Sequence, residues 1–149
     1  MTLTLSCRYR TDRVFDRKTL SGTWSTDTMD GRCKSLSGNK YAQVFANKGY
    51  FSKIYPIDKK SKAGDALKLF CQEFGVPESL TFDGSKEQNG KNTQFMHQIK
   101  SHKINHHVSE LDIKNQVLVE PIIGELRRRW FRTMIRKRVP PSLWDFGMT

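Results

Sequence analysis

The stretch KYAQVFANKGYFSKIYPIDKKSKAGDALKLFCQEF, residues 40–74, changes its hydrophobic period midway, and that change decides the fold class. Lys40 to Ala46 and Tyr50 to Ile57 are aromatic and β-branched, as strands are. Asn47-Lys48-Gly49 between them is a short hairpin signal. From Ser61 to Phe74 the apolar residues Ala63, Ala66, Leu67, Leu69, Phe70 and Phe74 recur at helical spacing. Gly75 and Pro77 end that run.

Upstream, Thr23 to Met29 suits a further strand, followed by a connection with Gly31 and the punctuation Ser37-Gly38-Asn39. Residues 1–21 mix Thr, Arg and Asp without periodicity and read as a poorly ordered leader. Downstream, Ser79 to Phe82 is a short strand running into Asp83-Gly84. Asn92 or Thr93 can cap a helix reaching about His102, and Ile104 to Val108 is a strand. After a polar loop, Ser109 to Gln116, apolar residues at 119, 122, 123, 126, 130 and 134 mark a helix from about Val117 to Arg138. Pro140 to Asp145 looks like a cap and a helix that barely begins. The order βββαβαβα predicts an α/β domain over residues 22–149, a mixed five-stranded sheet flanked by helices and incomplete at its C-terminus.

At 149 residues the chain has room for one substantial core and not two. Lys and Arg outnumber Asp and Glu 26 to 15, and the net charge of +11 favours a polyanionic partner, nucleic acid or an anionic membrane surface. No apolar run approaches a membrane span, and Met1 to Arg10 lacks a signal-peptide core and cleavage site. Nucleic acid is therefore the expected partner, with no membrane, in a nuclear or cytoplasmic, not secreted, protein. Cys7, Cys33 and Cys71 are widely separated and form no CxxC pair, so neither a disulfide framework nor a zinc ribbon is indicated. His102 and His106 stand four apart without the Cys pair of a zinc finger, and read as polar residues on a helix end and adjoining strand.

Three acids occupy element ends or sheet centres: Asp27 in the first strand, Asp83 at the exit of the fourth, and Glu120 at the start of the last long helix. Carboxylates from three separated elements can converge on two divalent cations and serve in-line phosphoryl transfer, because such cations take hard oxygen ligands. Asp30 has the opposite strand parity from Asp27 and reads as a turn residue. Glu87 is read as a solvated loop acid, and Asp58, Asp65, Glu73 and Asp112 as ordinary cap or surface residues.

The ordered segments Trp24-Ser25-Thr26-Asp27, Gly75-Val76-Pro77, Phe82-Asp83-Gly84-Ser85-Lys86-Glu87-Gln88, Asn115-Gln116, Val119-Glu120 and Leu143-Trp144-Asp145 resemble the integrase catalytic core of Ty1/copia-type retrotransposons and retroviruses. The resemblance spans about Gly22 to Gly147. Between Asp83 and Glu120 lie 36 residues, one more than in the family's D,D-35-E pattern, a difference that a one-residue loop insertion absorbs. The resemblance implies a ribonuclease H-like fold and a DDE triad of Asp27, Asp83 and Glu120, catalytic and metal-binding at once. It further implies a two-metal site for Mg²⁺ or Mn²⁺, 3′-end processing and strand transfer of retroelement DNA, and homo-oligomers through the core. Gln116 falls where such integrases often carry a Gln that contacts DNA near the metals.

From Leu126 to Val139 the chain holds Arg127, Arg128, Arg129, Arg132, Arg136, Lys137 and Arg138 and no acid. Residues 116, 120, 124, 127 and 128 follow helical spacing, so a carboxylate, a gap and a basic cluster share one stripe. Arg127, Arg128 and Arg132 are the candidates for nucleic-acid phosphates, with Trp130 and Met134 packing inward. A solvated face or a nuclear-localisation-like cluster is the alternative. Gly124 stands where relatives often place a basic residue. Pro121 also departs from the pattern: if the helix began there, Glu120 would become a cap with a differently placed carboxylate. These departures, and the lack of an upstream zinc module, keep two other readings open, a catalytically inactive nucleic-acid-binding remnant of a retrotransposon polyprotein and a ribonuclease H-type nuclease.

Overall fold

A computed structural model of the chain describes residues 22–47, 51–83, 93–109 and 119–147. Five strands, β1 (Thr23–Asp30), β2 (Tyr41–Asn47), β3 (Ser52–Ile57), β4 (Ser79–Asp83) and β5 (Asn105–Ser109), form one sheet in the order β3-β2-β1-β4-β5. The first three are antiparallel, while β4 joins β1 and β5 joins β4 in parallel. Parallel neighbours need crossovers, and these contain α1 (Ala63–Phe74) before β4 and α2 (Gln94–Ser101) before β5. The third helix, α3, runs over Val119–Lys137, and a 3-10 segment follows at Pro141–Gly147. This is the mixed five-stranded sheet with flanking helices that the sequence predicts. The expected leader, residues 1–21, lies outside the described residues.

Local chemistry sets the element ends. Phe51 donates its N–H to the Asn47 side-chain oxygen and accepts from the Asn47 N–H, both at 3.1 Å, which closes the β2–β3 hairpin. Gly75 terminates α1 at φ 87, a left-handed angle that favours glycine. Thr93 caps α2, its hydroxyl accepting from Met96 N–H at 3.2 Å.

Strand alternation divides the core between two faces. On the first, Trp24, Phe45, Tyr55, Leu80 and Phe82 meet Leu67 and Phe70 of α1 and Phe95 and Ile99 of α2. Phe45 stacks on Phe70 with ring centroids 4.5 Å apart. Gln43 is wholly buried here, and it stays satisfied by donating to Thr26 Oγ1 at 2.6 Å and accepting from Thr28 Oγ1 at 2.7 Å. On the second face Met29, Ala42, Val44, Ala46 and Ile54 lie under Ile123 and Met134 of α3 and under Trp144.

α3 ends at Lys137, where Arg138 turns left-handed at φ 54 and the Val139 N–H closes on the Met134 carbonyl at 2.9 Å. The short helix start expected after Pro140 is a 3-10 helix, Pro141–Gly147, which delivers a fully buried Trp144 to the core. Its indole donates to the Cys33 carbonyl at 2.8 Å, and its own carbonyl accepts from Trp130 Nε1 at 2.9 Å. A side chain at Gly31 would collide with the Trp144 ring, so only glycine fits there. Buried Asp145 completes the clasp by accepting from Ser35 Oγ at 2.7 Å and Asn39 Nδ2 at 3.1 Å.

Candidate active site

Asp27 sits opposite Val44 of β2 and is half-buried. Its parity is that of Met29, which places it on the second face, the one α3 covers. One carboxylate oxygen, Oδ1, accepts the Thr28 N–H at 2.7 Å. The β1–β4 ladder pairs Trp24 with Leu80 and Ser25 with Thr81 in parallel. Carried two residues further, that register brings Asp83, the last residue of β4, level with Asp27. Asp83 is paired on its other side with Ser109 of β5.

Glu120 is the second residue of α3. The helix starts at Val119 and not at Pro121, so Glu120 is helical and not a cap. Pro121 is tolerated because it falls in the first turn, where N–H groups have no intrahelical acceptor. The three candidate positions thus belong to two adjacent parallel strands and the first turn of a helix packed on β1 and β2. Among the described residues no group of three or more His, Cys, Asp or Glu is gathered as a metal site. Gln116, Glu87 and Asp112 lie outside the described residues.

The basic helix divides into committed and uncommitted arginines. Arg127 is half-buried and donates from Nη2 to the Asp30 carbonyl at 3.0 Å. Arg128 and Arg129 both pair with Glu125, at 2.9 and 2.6 Å. The hydrogen bond and charge of Arg129, joined by Arg128, hold the Glu125 carboxyl below its ordinary value. Sequence reading passed over Glu125, although acids three and four residues before arginines on a helix are a readable signal. Arg132 and Arg136 are exposed, with no ion pair among the described residues. Trp130 is half-buried and Met134 buried against the second core, as expected of inward-facing residues.

Other charged groups follow their structural readings. Asp30 is exposed and accepts the Arg32 N–H at 2.8 Å, a turn contact. Asp58 pairs with Lys62 at 3.4 Å, and Asp65 accepts from Gln94 Nε2 at 2.6 Å. Glu73 lies 3.6 Å from Lys53 and accepts from the Tyr55 hydroxyl at 3.1 Å. Burial, then the Glu73 hydrogen bond and charge, pushes the Tyr55 phenol well above its ordinary value. His106 stacks on Phe82 at 6.0 Å. A cleft of about 510 Å³ lined by Lys34, Asn39, Tyr55, Asp58, Lys62 and Asp65 opens beside β3 and α1.

No family model and no curated protein matches the chain by sequence. Solved structures do match by fold. A cryo-EM structure of the simian T-cell lymphotropic virus intasome, in complex with the PP2A regulatory subunit B56 gamma, aligns at TM-score 0.67 and 17% identity, over 81% of this chain and 44% of that one. The HTLV-2 integrase catalytic core domain in complex with magnesium aligns in its trimeric form at TM-score 0.62 and 15% identity, over 83% of this chain and 79% of that one. Its dimeric form aligns at 0.61 and 14%, over 83% and 80%. The chain therefore spans less than half of the intasome chain it matches and about four-fifths of the isolated cores. At these identities the likeness shows the fold, which is the ribonuclease H-like fold of integrase catalytic cores.

Proposed function

We propose that the chain is the catalytic core of a retrotransposon-type integrase, a polynucleotidyl transferase that trims the 3′ ends of element DNA and joins them to a target. What supports this reading is that Asp27 lies in β1 and Asp83 ends β4, two strands paired in parallel, while Glu120 falls in the first turn of α3, the helix packed on β1 and β2. Asp27, Asp83 and Glu120 would hold Mg²⁺ or Mn²⁺, since a set of three carboxylates is the hard-oxygen chemistry these ions take. When bound, the ions supply charge stabilisation to the attacking and leaving oxygens of an in-line displacement.

The chain's own residues do the rest. Thr28 N–H orients one oxygen of Asp27. Arg127 ties α3 to the end of β1 and so fixes the helix that carries Glu120 over the strands. Exposed Arg132 is available to phosphates, and Gln116 is assigned a DNA contact near the metals by the family resemblance. The same reading makes the protein intracellular, nuclear or cytoplasmic, and oligomeric through the core. Among the described residues no helix is long and apolar enough to cross a membrane.

A second reading, a DNA-binding remnant without turnover, is favoured by Gly124, around which nothing lies within 4 Å of where a side chain would start. One experiment separates the readings: incubation with branched DNA and Mg²⁺ or Mn²⁺, scored for cleavage and joining. Turnover is expected, and Asp83→Asn is expected to abolish it. Activity that survives Asp83→Asn overturns the triad. Salt-sensitive binding without turnover selects the remnant, and hydrolysis limited to the RNA strand of a hybrid selects a ribonuclease H.

A further inference from the structure

Arg32 belongs to none of the basic clusters legible in the sequence, yet its surroundings are those of a built anion contact. The residue is exposed and adopts φ 68, a left-handed backbone that a non-glycine residue holds only when its surroundings impose it. Three contacts impose it here. Asp30 Oδ1 accepts the Arg32 N–H, Arg127 grips the Asp30 carbonyl, and Gly31 is packed against the Trp144 ring. The guanidinium then lies over the Phe131 ring of α3, 4.9 Å from its centroid. A cation over a ring face is held there by the ring's charge distribution while its N–H donors stay available. No ion pair engages Arg32 among the described residues.

We infer that Arg32 is a preorganised clamp for a nucleic-acid phosphate, adding to the uncommitted basic surface of α3. The inference rests on the DNA-binding reading above. Phe131 lies eleven helical steps after Glu120, about 16 Å along the axis, which is about five base steps at 3.4 Å each. The clamp would therefore hold the backbone of DNA leading away from the carboxylates.

The test titrates a labelled DNA duplex against the full chain and its variants over a series of salt concentrations. Arg32→Gly relieves the left-handed backbone while removing the guanidinium. It is expected to leave the thermal midpoint unchanged or raised, to weaken binding several-fold, and to reduce the slope of log K against log salt by about 0.9, one phosphate contact. Arg32→Lys, which keeps the charge and loses the planar stack, falls between. If wild type binds with salt dependence and Arg32→Gly binds equally well, the clamp is overturned and the DNA reading stands. If Arg32→Gly lowers the thermal midpoint without changing the slope, Arg32 is structural only. If wild type shows no salt-dependent binding, both inferences fail together.

Discussion

The two faces of the sheet are packed by different means. The first is closed by two helices over a continuous aromatic cluster, with Trp24, Phe45, Phe70, Phe82 and Phe95 wholly or almost wholly buried. The second is lined by small residues, Ala42, Val44 and Ala46, and is closed by one helix and a seven-residue turn. Half-buried Asp27 and the first turn of α3 belong to that second face, as does Arg127. The apolar first face holds the strands, while the thinner second face carries Asp27 of the central strand and Arg127 of α3.

The strongest way to break this comparison is a matched pair of truncations. Phe70→Ala and Trp144→Ala should each lower unfolding stability by about 3–5 kcal/mol in chemical denaturation, the usual cost of emptying a buried aromatic site. Their consequences for DNA should differ. In the folded fraction, Phe70→Ala keeps wild-type DNA affinity, whereas Trp144→Ala weakens it because α3 and the Gly31–Arg32 turn lose their shared support. Equal losses of affinity in both would erase the distinction between the faces.

A smaller effect is expected on α3 itself. Gly124→Ala should stabilise the protein by about 1 kcal/mol, since helix propensity is gained in open space. Gly124→Lys should add tighter DNA binding to that gain. A destabilised Gly124→Ala variant would mean that another group occupies the space beside Glu120 and Arg127.

The smallest effect concerns the first face and is absent at neutral pH. The Tyr55 phenol is raised in the folded state relative to its ordinary value of 10.0. Its contribution is therefore fully present below pH 10.0 and is lost as pH rises above that value toward the folded one. Thermal midpoints followed through this alkaline range should fall more steeply for wild type than for Tyr55→Phe, with DNA affinity at neutral pH alike in both.

Much of this molecule was legible in the chain. The switch from period two to period 3.6 within residues 40–74, Gly75, Thr93 and the stripe along α3 fixed the elements and their order, because burial periodicity and capping are local properties. Asp27, Asp83 and Glu120 were singled out by their places in the predicted elements and by the likeness to integrase segments. What local signals could not supply was partnership across the chain. The pairs of Arg128 and Arg129 with Glu125 are local, but Arg127 is spent on the Asp30 carbonyl and Arg32, isolated in sequence, lands on Phe131. The use of Trp144 as a core plug was likewise decided by packing. Sequence alone determined which residues could be acid, base or core. The tertiary structure decided which charges neutralise each other and which stay open, because that depends on distances between segments about a hundred residues apart, such as Arg127 and Asp30.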